Sequence, residues 1–432
     1  MERLIIEELL QWKTSPRRKP LILNGARQVG KTWILKHFGE MHYDNVAYIN
    51  CDKESLAAKL FEDYDTKRII QAIETITNTQ IVAGKTLIII DEIQEVPRGL
   101  HALKYFAENA PEQHIAVAGS LLGLLLHQGE SFPVGKVNML QMHPMTFLEF
   151  LKAMGEDKIY QQLLNREWSV TNTMHEKIVK HLRMYLYVGG MPEAVQAYCN
   201  NVPLREIRSI HNEILTAYIN DLSKHAPKEQ VVRITQVFRS IPAQIAKENK
   251  KFVFGVLKKG ARAKEFELAI QWLMDAGLVH KVCQVSKPEA PLTFYEESEA
   301  FKLFLLDCGL LGAMNMTDAT EAMLTDNIFE EYNGALTEQL VLQELKCVPN
   351  LPVYYYTKQN SQQEIDFVID IKNYAVPIEA KAGENLQAKS FKQFILENKS
   401  PKAIKTSLKP YKSNEVINNV PLYALYCYLT RG

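Results

Sequence analysis

Gly25-Ala26-Arg27-Gln28-Val29-Gly30-Lys31-Thr32 is the stretch on which the reading of this chain turns. It fills every specified position of the pattern G-x-x-x-x-G-K-S/T. It stands between an apolar run, LILN (21–24), and a helix-patterned segment, KTWILKHF (31–38). Strand, glycine-rich loop and helix in that order make a phosphate-binding loop. Gly25 and Gly30 let backbone N–H groups wrap a β-phosphate, and the opening helix favours negative charge at its N-terminus. Ala26, Arg27, Gln28 and Val29 complete the expected cradle. Lys31 is the point charge for the β- and γ-phosphates, and Thr32 offers a hydroxyl to Mg2+.

A second element strengthens the first. Leu87-Ile-Ile-Ile-Asp91-Glu92 reads as a buried strand ending in two carboxylates. Asp91 is the candidate magnesium ligand, and Glu92 the base that orients and deprotonates the attacking water. After the next apolar run, Ser120 is a candidate γ-phosphate sensor, or else the N-cap of LLGLLLH (121–127). The strand candidates LILN, VAYIN (46–50), TLIIID (86–91) and HIAVAG (114–119) alternate with helical patterns such as Lys67–Thr75 and Leu100–Glu108. Apolar strands divided by helices predict a parallel sheet covered on both faces, an α/β fold.

At 432 residues the chain has room for about three domains of ~150 residues each. A composition of 47% hydrophobic and 23% charged residues excludes a wholly disordered or fibrous chain. Fifty basic residues balance fifty acidic ones, so any nucleic-acid surface must be local. No apolar run approaches the ~18 residues of a membrane span. The opening MERLIIEELLQWK carries Glu2, Glu7 and Glu8 and lacks the character of an export signal. The six cysteines are scattered, with no CxxC pair, which favours a reducing compartment. The expected location is the cytoplasm, without a membrane partner.

Four segments follow from the patterning: a P-loop core over 1–145, a helical lid region over 146–230, a winged helix over 231–315 and a small α/β unit over 316–432. In the second, TFLEFLKAM (146–154), IVKHLRMYLYVGG (178–190) and IRSIHNEILTAYINDL (207–222) have helical spacing. In the third, VVRITQVFRSI (231–241), PAQIAKEN (242–249) and AKEFELAIQWLMDAGL (263–278) read as three helices. LVHKVCQVS (278–286) and the segment around Phe294–Phe304 read as the wing hairpin. The third of these helices has a mixed polar face of Lys264, Glu265, Glu267 and Gln271, which favours an intramolecular lid over DNA reading. In the fourth, a helix (335–347) precedes strands at VYYYT, EIDFVID, AVPIEAK, AIKTSL and LYALYCYL.

Taken together, GARQVGKT, IIIDEIQEVP, VAGS, FPVGKVNMLQMHPMTFLEF, YVGGMPEAV, FKLFLLDCGLL and EIDFVI…PIEAKAG resemble bacterial and archaeal ATP-binding proteins of the AAA-like, signal-transduction type. Those proteins carry a C-terminal domain related to PD-(D/E)xK nucleases. The resemblance covers nearly the whole chain. It implies an additional-strand P-loop fold in which the Asp91 strand and the Ser120 strand lie beside the phosphate-loop strand. It also implies ATP over GTP, since no guanine-reading N/T-K-x-D element follows Glu92. One departure is Gly135-Lys136, where the family pattern has Gly-Arg. Lysine lacks the planar fork of arginine, which leaves Arg27 and Arg262 as candidates for a γ-phosphate contact.

Near the C-terminus, Asp366 followed by Glu379-Ala380-Lys381 reproduces the D…(D/E)-x-K arrangement. Residues 379 and 381 share a strand face by the two-residue period. Asp366 and Glu379 are candidate ligands for a second Mg2+ or a Mn2+, with Glu338 on the preceding helix as a third and Glu364 nearby. Lys381 is the candidate for positioning or activating water. Residues 381–412 contain eight lysines and two glutamates, a local surplus that fits a DNA backbone. Phe391 and Phe394 read as core contacts. The expected function is an ATP-hydrolysing protein whose nucleotide state controls a nuclease-like, DNA-directed domain. Two rivals are a nucleotide-dependent switch with an inactive binding domain, and an oligomeric protein-remodelling ATPase. A homo-oligomer or a protein partner is compatible with either.

Overall fold

In the computed structural model, which describes residues 1–119, 133, 135–246, 251–316, 333–358, 363–381 and 389–430, the chain divides into two units. One comprises Met1–His143 with Asp275–Gly277, the other Pro144–Met274 with Leu278–Gly432.

The first unit is built on strands β1 (Leu21–Asn24), β2 (Asn45–Asn50), β3 (Thr86–Asp91), β4 (His114–Ala118) and β5 (Asn138–Gln141). Their spatial order is β2-β3-β4-β1-β5, and every neighbouring pair is parallel. β3 and β4 are buried at every position, which explains why their sequences show apolar runs without alternation. The helix Lys31–His42 carries the chain from β1 to the far edge at β2, and β3 and β4 then fill the gap in turn. The order therefore corrects one expectation: β4 pairs with β1, whereas β3 lies one strand further away. β5 was not legible as a strand, because its half-exposed alternation is the pattern of an edge. Ile49, Ile88, Ile90, Phe61, Leu103 and Phe106 centre the core on one face of this sheet.

The second unit begins with helices at Phe147–Ala153, Asp157–Leu164, Trp168–Thr173, His175–Val188, Pro192–Cys199, Leu204–His225 and Lys228–Ile245. Thr146 and Glu149 cap the first reciprocally, a capping box generally worth ~1 kcal/mol. VVRITQVFRSI and PAQI form one helix that continues through Pro242, not the two expected. No second helix separates it from Ala263–Asp275 among the described residues, only the short 3-10 turn Phe254–Val256.

The hairpin read as a wing, β6 (Val279–Val285) and β7 (Glu296–Leu305), joins a larger sheet. Its other members are β8 (Val353–Thr357), β9 (Glu364–Ile371), β10 (Tyr374–Ala380), β11 (Ala403–Ser407) and β12 (Ile417–Pro421). The order is β12-β11-β10-β9-β8-β6-β7, a single seven-stranded sheet. β6 pairs in parallel with β8, so the boundary expected at 315/316 does not separate two sheets. LYALYCYL is not a strand: Pro421 ends β12, and Leu425–Thr430 is helical. A short apolar run of that kind has no period that distinguishes strand from buried helix.

A buried polar network ties helices to sheet in this unit. Asp307 accepts hydrogen bonds from Gly190 N (2.6 Å), Leu310 N (3.0 Å) and Gln343 Nε2 (3.2 Å). Gln343 Nε2 also reaches the Tyr185 hydroxyl (2.8 Å), which donates to Met145 O (2.5 Å). Met145 N donates to Gly190 O at 2.6 Å, and a Cβ at Gly190 would collide with the Met145 backbone. Gly190→Ala is therefore expected to destabilise the protein by about 1–3 kcal/mol. Urea unfolding followed by circular dichroism measures this; an unchanged midpoint would show that the segment yields.

Candidate functional site

The loop between β1 and the helix Lys31–His42 requires glycine at two points. Gly25 has φ +152°, and a side chain there would strike the Met142 carbonyl; Gly30 has φ +97° and caps the helix. Ala26 and Val29 are buried, whereas Arg27 and Gln28 are exposed. Lys31 is 8% exposed, and its Nζ donates to Gly25 O (2.8 Å) and Ala26 O (2.7 Å), so the ammonium lies inside the loop. Burial pushes this ammonium down to about 8, against the pull of Glu92 and Asp91.

Asp91 ends β3, 3% exposed. The Thr32 hydroxyl donates to its Oδ2 at 2.8 Å, which brings the two sequence motifs into one site. A threonine hydroxyl that donates its hydrogen bond to a carboxylate keeps its lone pairs for a cation. The oxygen donor set of Thr32 and Asp91 therefore fits Mg2+. Glu92 follows with φ +52°, a left-handed conformation costing ~1–3 kcal/mol in a non-glycine residue and characteristic of functional turns. Its Oε2 accepts from Gln94 Nε2 at 2.5 Å.

Two further residues belong here. Tyr48 on β2 donates its hydroxyl to Asp91 Oδ2 at 3.0 Å, and Lys36 Nζ stands 3.5 Å from the centre of the Tyr48 ring. Arg3, buried, donates to Val29 O (2.9 Å) and His143 O (2.7 Å) and pins the loop from behind. No sequence motif marks Arg3. Tyr48 was detectable only as a polar group within the β2 strand.

Lys136 forms an ion pair with Glu108 at 2.9 Å, on a half-exposed surface. Ser120 and the LLGLLLH segment lie outside the described residues. Arg262 belongs to the second unit, where it is exposed.

In the second unit the sheet gathers the C-terminal candidates. Asp366 lies on β9 and Glu379 on the antiparallel neighbour β10; Asp366 Oδ2 accepts from Ala380 N at 2.8 Å. Glu379, 5% exposed, meets Lys381 Nζ at 2.6 Å. Glu338, on the helix Asn333–Lys346, is 3.7 Å from Lys302 Nζ, and Glu364 is 2.6 Å from the same atom. Lys302, on β7, was missed by the sequence reading. Its signal is a lone charge inside the apolar run Ala300–Leu306. Burial alone would lower the Lys302 ammonium, but Glu338, Glu364 and Asp366 outweigh it and hold it above the ordinary lysine value. Lys381 follows the same logic: burial opposes its charge, and Glu379 restores it.

Among the described residues no group of three or more His, Cys, Asp or Glu side chains is disposed to hold a cation. Lys302 and Lys381 engage three of the four carboxylates that would have to turn towards one.

Of the lysine-rich segment, Lys392, Lys399, Lys402 and Lys412 are exposed and Lys409 is half-buried. Lys405 is buried on β11 in register with Glu379, and burial pushes it down to about 8. Phe391 and Phe394 are each 1% exposed and belong to the core.

Residues 17–151 match the family model of an AAA domain. Residues 179–321 and 333–425 match models of two domains of unknown function, DUF8612 and DUF4143. No curated protein matches the sequence. Among solved structures, a Walker-type ATPase of Pyrococcus abyssi aligns with 16% identity over 72% of this chain and 95% of its own, at TM-score 0.45. The ORC1 protein of Aeropyrum pernix, solved with DNA, aligns with 10% identity over 72% and 90%, at TM-score 0.28. RuvB of Thermotoga maritima aligns with 15% identity over 64% and 86%, at TM-score 0.27. The N-terminal unit thus carries an AAA domain on a parallel P-loop sheet. No helix among the described residues is long and apolar enough to cross a membrane.

The buried ammonium makes nucleotide binding pH-dependent. Lys31 titrates near about 8 in the free loop, and triphosphate charge beside it raises that value. ATP binding at pH ~8.5 is therefore expected to take up protons, and affinity to fall as pH rises from 7 to 9. Calorimetry in buffers of different ionisation enthalpy reads the uptake directly; zero uptake would show that Lys31 is charged before ATP arrives.

Proposed function

We propose that this chain binds and hydrolyses ATP at the phosphate loop, and that its nucleotide state governs a C-terminal unit directed at DNA. The observation that carries the first part is the hydrogen bond from the Thr32 hydroxyl to Asp91, beside the buried Lys31. Backbone N–H groups from Gly25 to Thr32 cradle the phosphates, with the helix N-terminus behind them. Lys31 places its charge on the β- and γ-phosphates. Thr32 and Asp91 hold Mg2+, which when bound offsets phosphate charge. Glu92 orients the attacking water and accepts its proton, and Gln94 holds one oxygen of that carboxylate in place. Tyr48 positions Asp91 by its hydrogen bond.

The seven-stranded sheet supports a resemblance to PD-(D/E)xK nucleases: Asp366 and Glu379 stand on adjacent strands, Lys381 follows the end of β10, and Glu338 lies on the preceding helix. The exposed lysines between 392 and 412 suit a DNA backbone. The ion pairs of Lys302 and Lys381 with these carboxylates favour a second reading, a nucleotide-dependent switch that binds DNA or protein without cutting it. A homo-oligomer in which a neighbour supplies an arginine, and a cytoplasmic location, belong to this proposal.

Glu92→Gln is expected to lower ATP turnover by ~10^2–10^4 and to retain ATP binding, whereas Lys31→Ala loses binding. Single-turnover hydrolysis with a fluorescent-nucleotide titration measures both. Undiminished turnover in Glu92→Gln would remove the base assignment. The same proteins, incubated with plasmid and single-stranded DNA in Mg2+ or Mn2+, test the C-terminal unit. Cleavage lost in Asp366→Ala establishes a nuclease, and intact DNA throughout establishes the switch.

A further inference from the structure

Lys302 lies in the most apolar part of β7, Ala300-Phe301-Lys302-Leu303-Phe304-Leu305, and is 1% exposed. An ammonium taken from water without a partner costs several kcal/mol, so a fold keeps it only where opposite charge meets it. Here Nζ is 2.6 Å from Glu364 and 3.7 Å from Glu338, which is itself 3% exposed, and 4.8 Å from the centre of the Tyr355 ring. Three elements converge on this one atom: β9 through Glu364, the helix Asn333–Lys346 through Glu338, and β8 through Tyr355.

Glu338 is one of the carboxylates that the D…(D/E)-x-K arrangement would offer to a divalent ion. Mg2+ demands oxygen ligands at about 2.0–2.1 Å in near-octahedral geometry. An ammonium 2.6 Å from Glu364 and 3.7 Å from Glu338 puts positive charge beside the carboxylates that such an ion would use. Lys381 stands likewise against Glu379. Three carboxylates (Glu338, Glu364 and Glu379) thus face two ammonium groups supplied by the chain, while Asp366 accepts from Ala380 N beside them.

We propose that Lys302 is a built-in cation standing where a nuclease-like sheet would hold a divalent metal, so that this carboxylate cluster works without one. The inference rests on the nuclease-like reading of the sheet and adds to it that the unit engages its target in a metal-independent way. Lys302 supplies a single positive charge and a hydrogen bond to Glu364, and it provides no polarised water for attack on a phosphodiester.

The test is a Mn2+ titration of the 432-residue, nucleotide-free chain, with free Mn2+ read by electron paramagnetic resonance. Wild type and Asp366→Asn are expected to take up the same amount. Lys302→Met and Lys302→Gln, checked for folding by circular dichroism, are expected to gain one equivalent. That equivalent should be lost again when Asp366→Asn is added. Uptake by wild type that disappears in Asp366→Asn would overturn the proposal, as would folded Lys302 variants that gain none. Should neither lysine variant fold, the comparison of wild type with Asp366→Asn decides alone. Fluorescence anisotropy with duplex DNA in EDTA forms a separate arm. Absence of binding there would strike at the DNA-directed reading, while the Mn2+ titration continues to bear on Lys302.

Discussion

The hydrogen bond between the Thr32 hydroxyl and Asp91 joins residues 59 positions apart, and the first unit is arranged so that it can form. Thr32 opens a helix, and Asp91 ends a strand that does not touch β1. With β4 inserted between them, two strand spacings of ~4.8 Å separate β1 from β3, and the helix start must lean across that gap. The lean depends on Gly25 and Gly30, whose backbone angles a side chain would oppose, and on Arg3, which holds the Val29 carbonyl. Tyr48 then fixes Asp91 from the other side. Apolar burial of β3 and β4 supplies the stability that lets this polar edge stay ordered.

A comparable constraint runs through the second unit, centred on Asp307. Its carboxylate is fully buried, which pushes it above the ordinary carboxylate value, and backbone donors at Gly190 and Leu310 pull the other way. The motif pieces YVGG and LLDCGLL therefore have a shared physical cause: Gly190 must pass close to Met145, and Asp307 must cap the helix Cys308–Met314 while holding that glycine. His211 belongs to the same region. It is pushed down to about 4, by burial first and by Arg208 second, and bonds the Val188 carbonyl. A buried network of this kind is stabilising only when every member is satisfied. That requirement fixes the relative placement of four segments distant in sequence.

The cluster around Lys302 shows how a motif and its surroundings can point to different chemistry. Asp366 and Glu379 fall on two adjacent antiparallel strands, with Lys381 just past the end of the second. Lys302 was not legible as their partner, because it lies in a hairpin read as part of another domain. Only the parallel pairing of β6 with β8 makes the two segments one sheet. Long-range strand pairing leaves no local trace in sequence. The same limit hid β5, whose only signal is a half-exposed alternation, and the helical state of Leu425–Thr430, whose apolar run has no decisive period.

What the sequence by itself determined is local: the phosphate loop with its glycines, the buried strand that ends in Asp91 and Glu92, and the alternation of strand and helix. Each of these follows from backbone sterics or from a short period of burial, which neighbouring residues encode. The tertiary structure alone decided the strand order β2-β3-β4-β1-β5, the seven-stranded sheet, and the meeting of Lys302 with Glu338 and Glu364. These depend on which distant surfaces exclude water together and on which buried charges must then find one another. No local pattern carries that information.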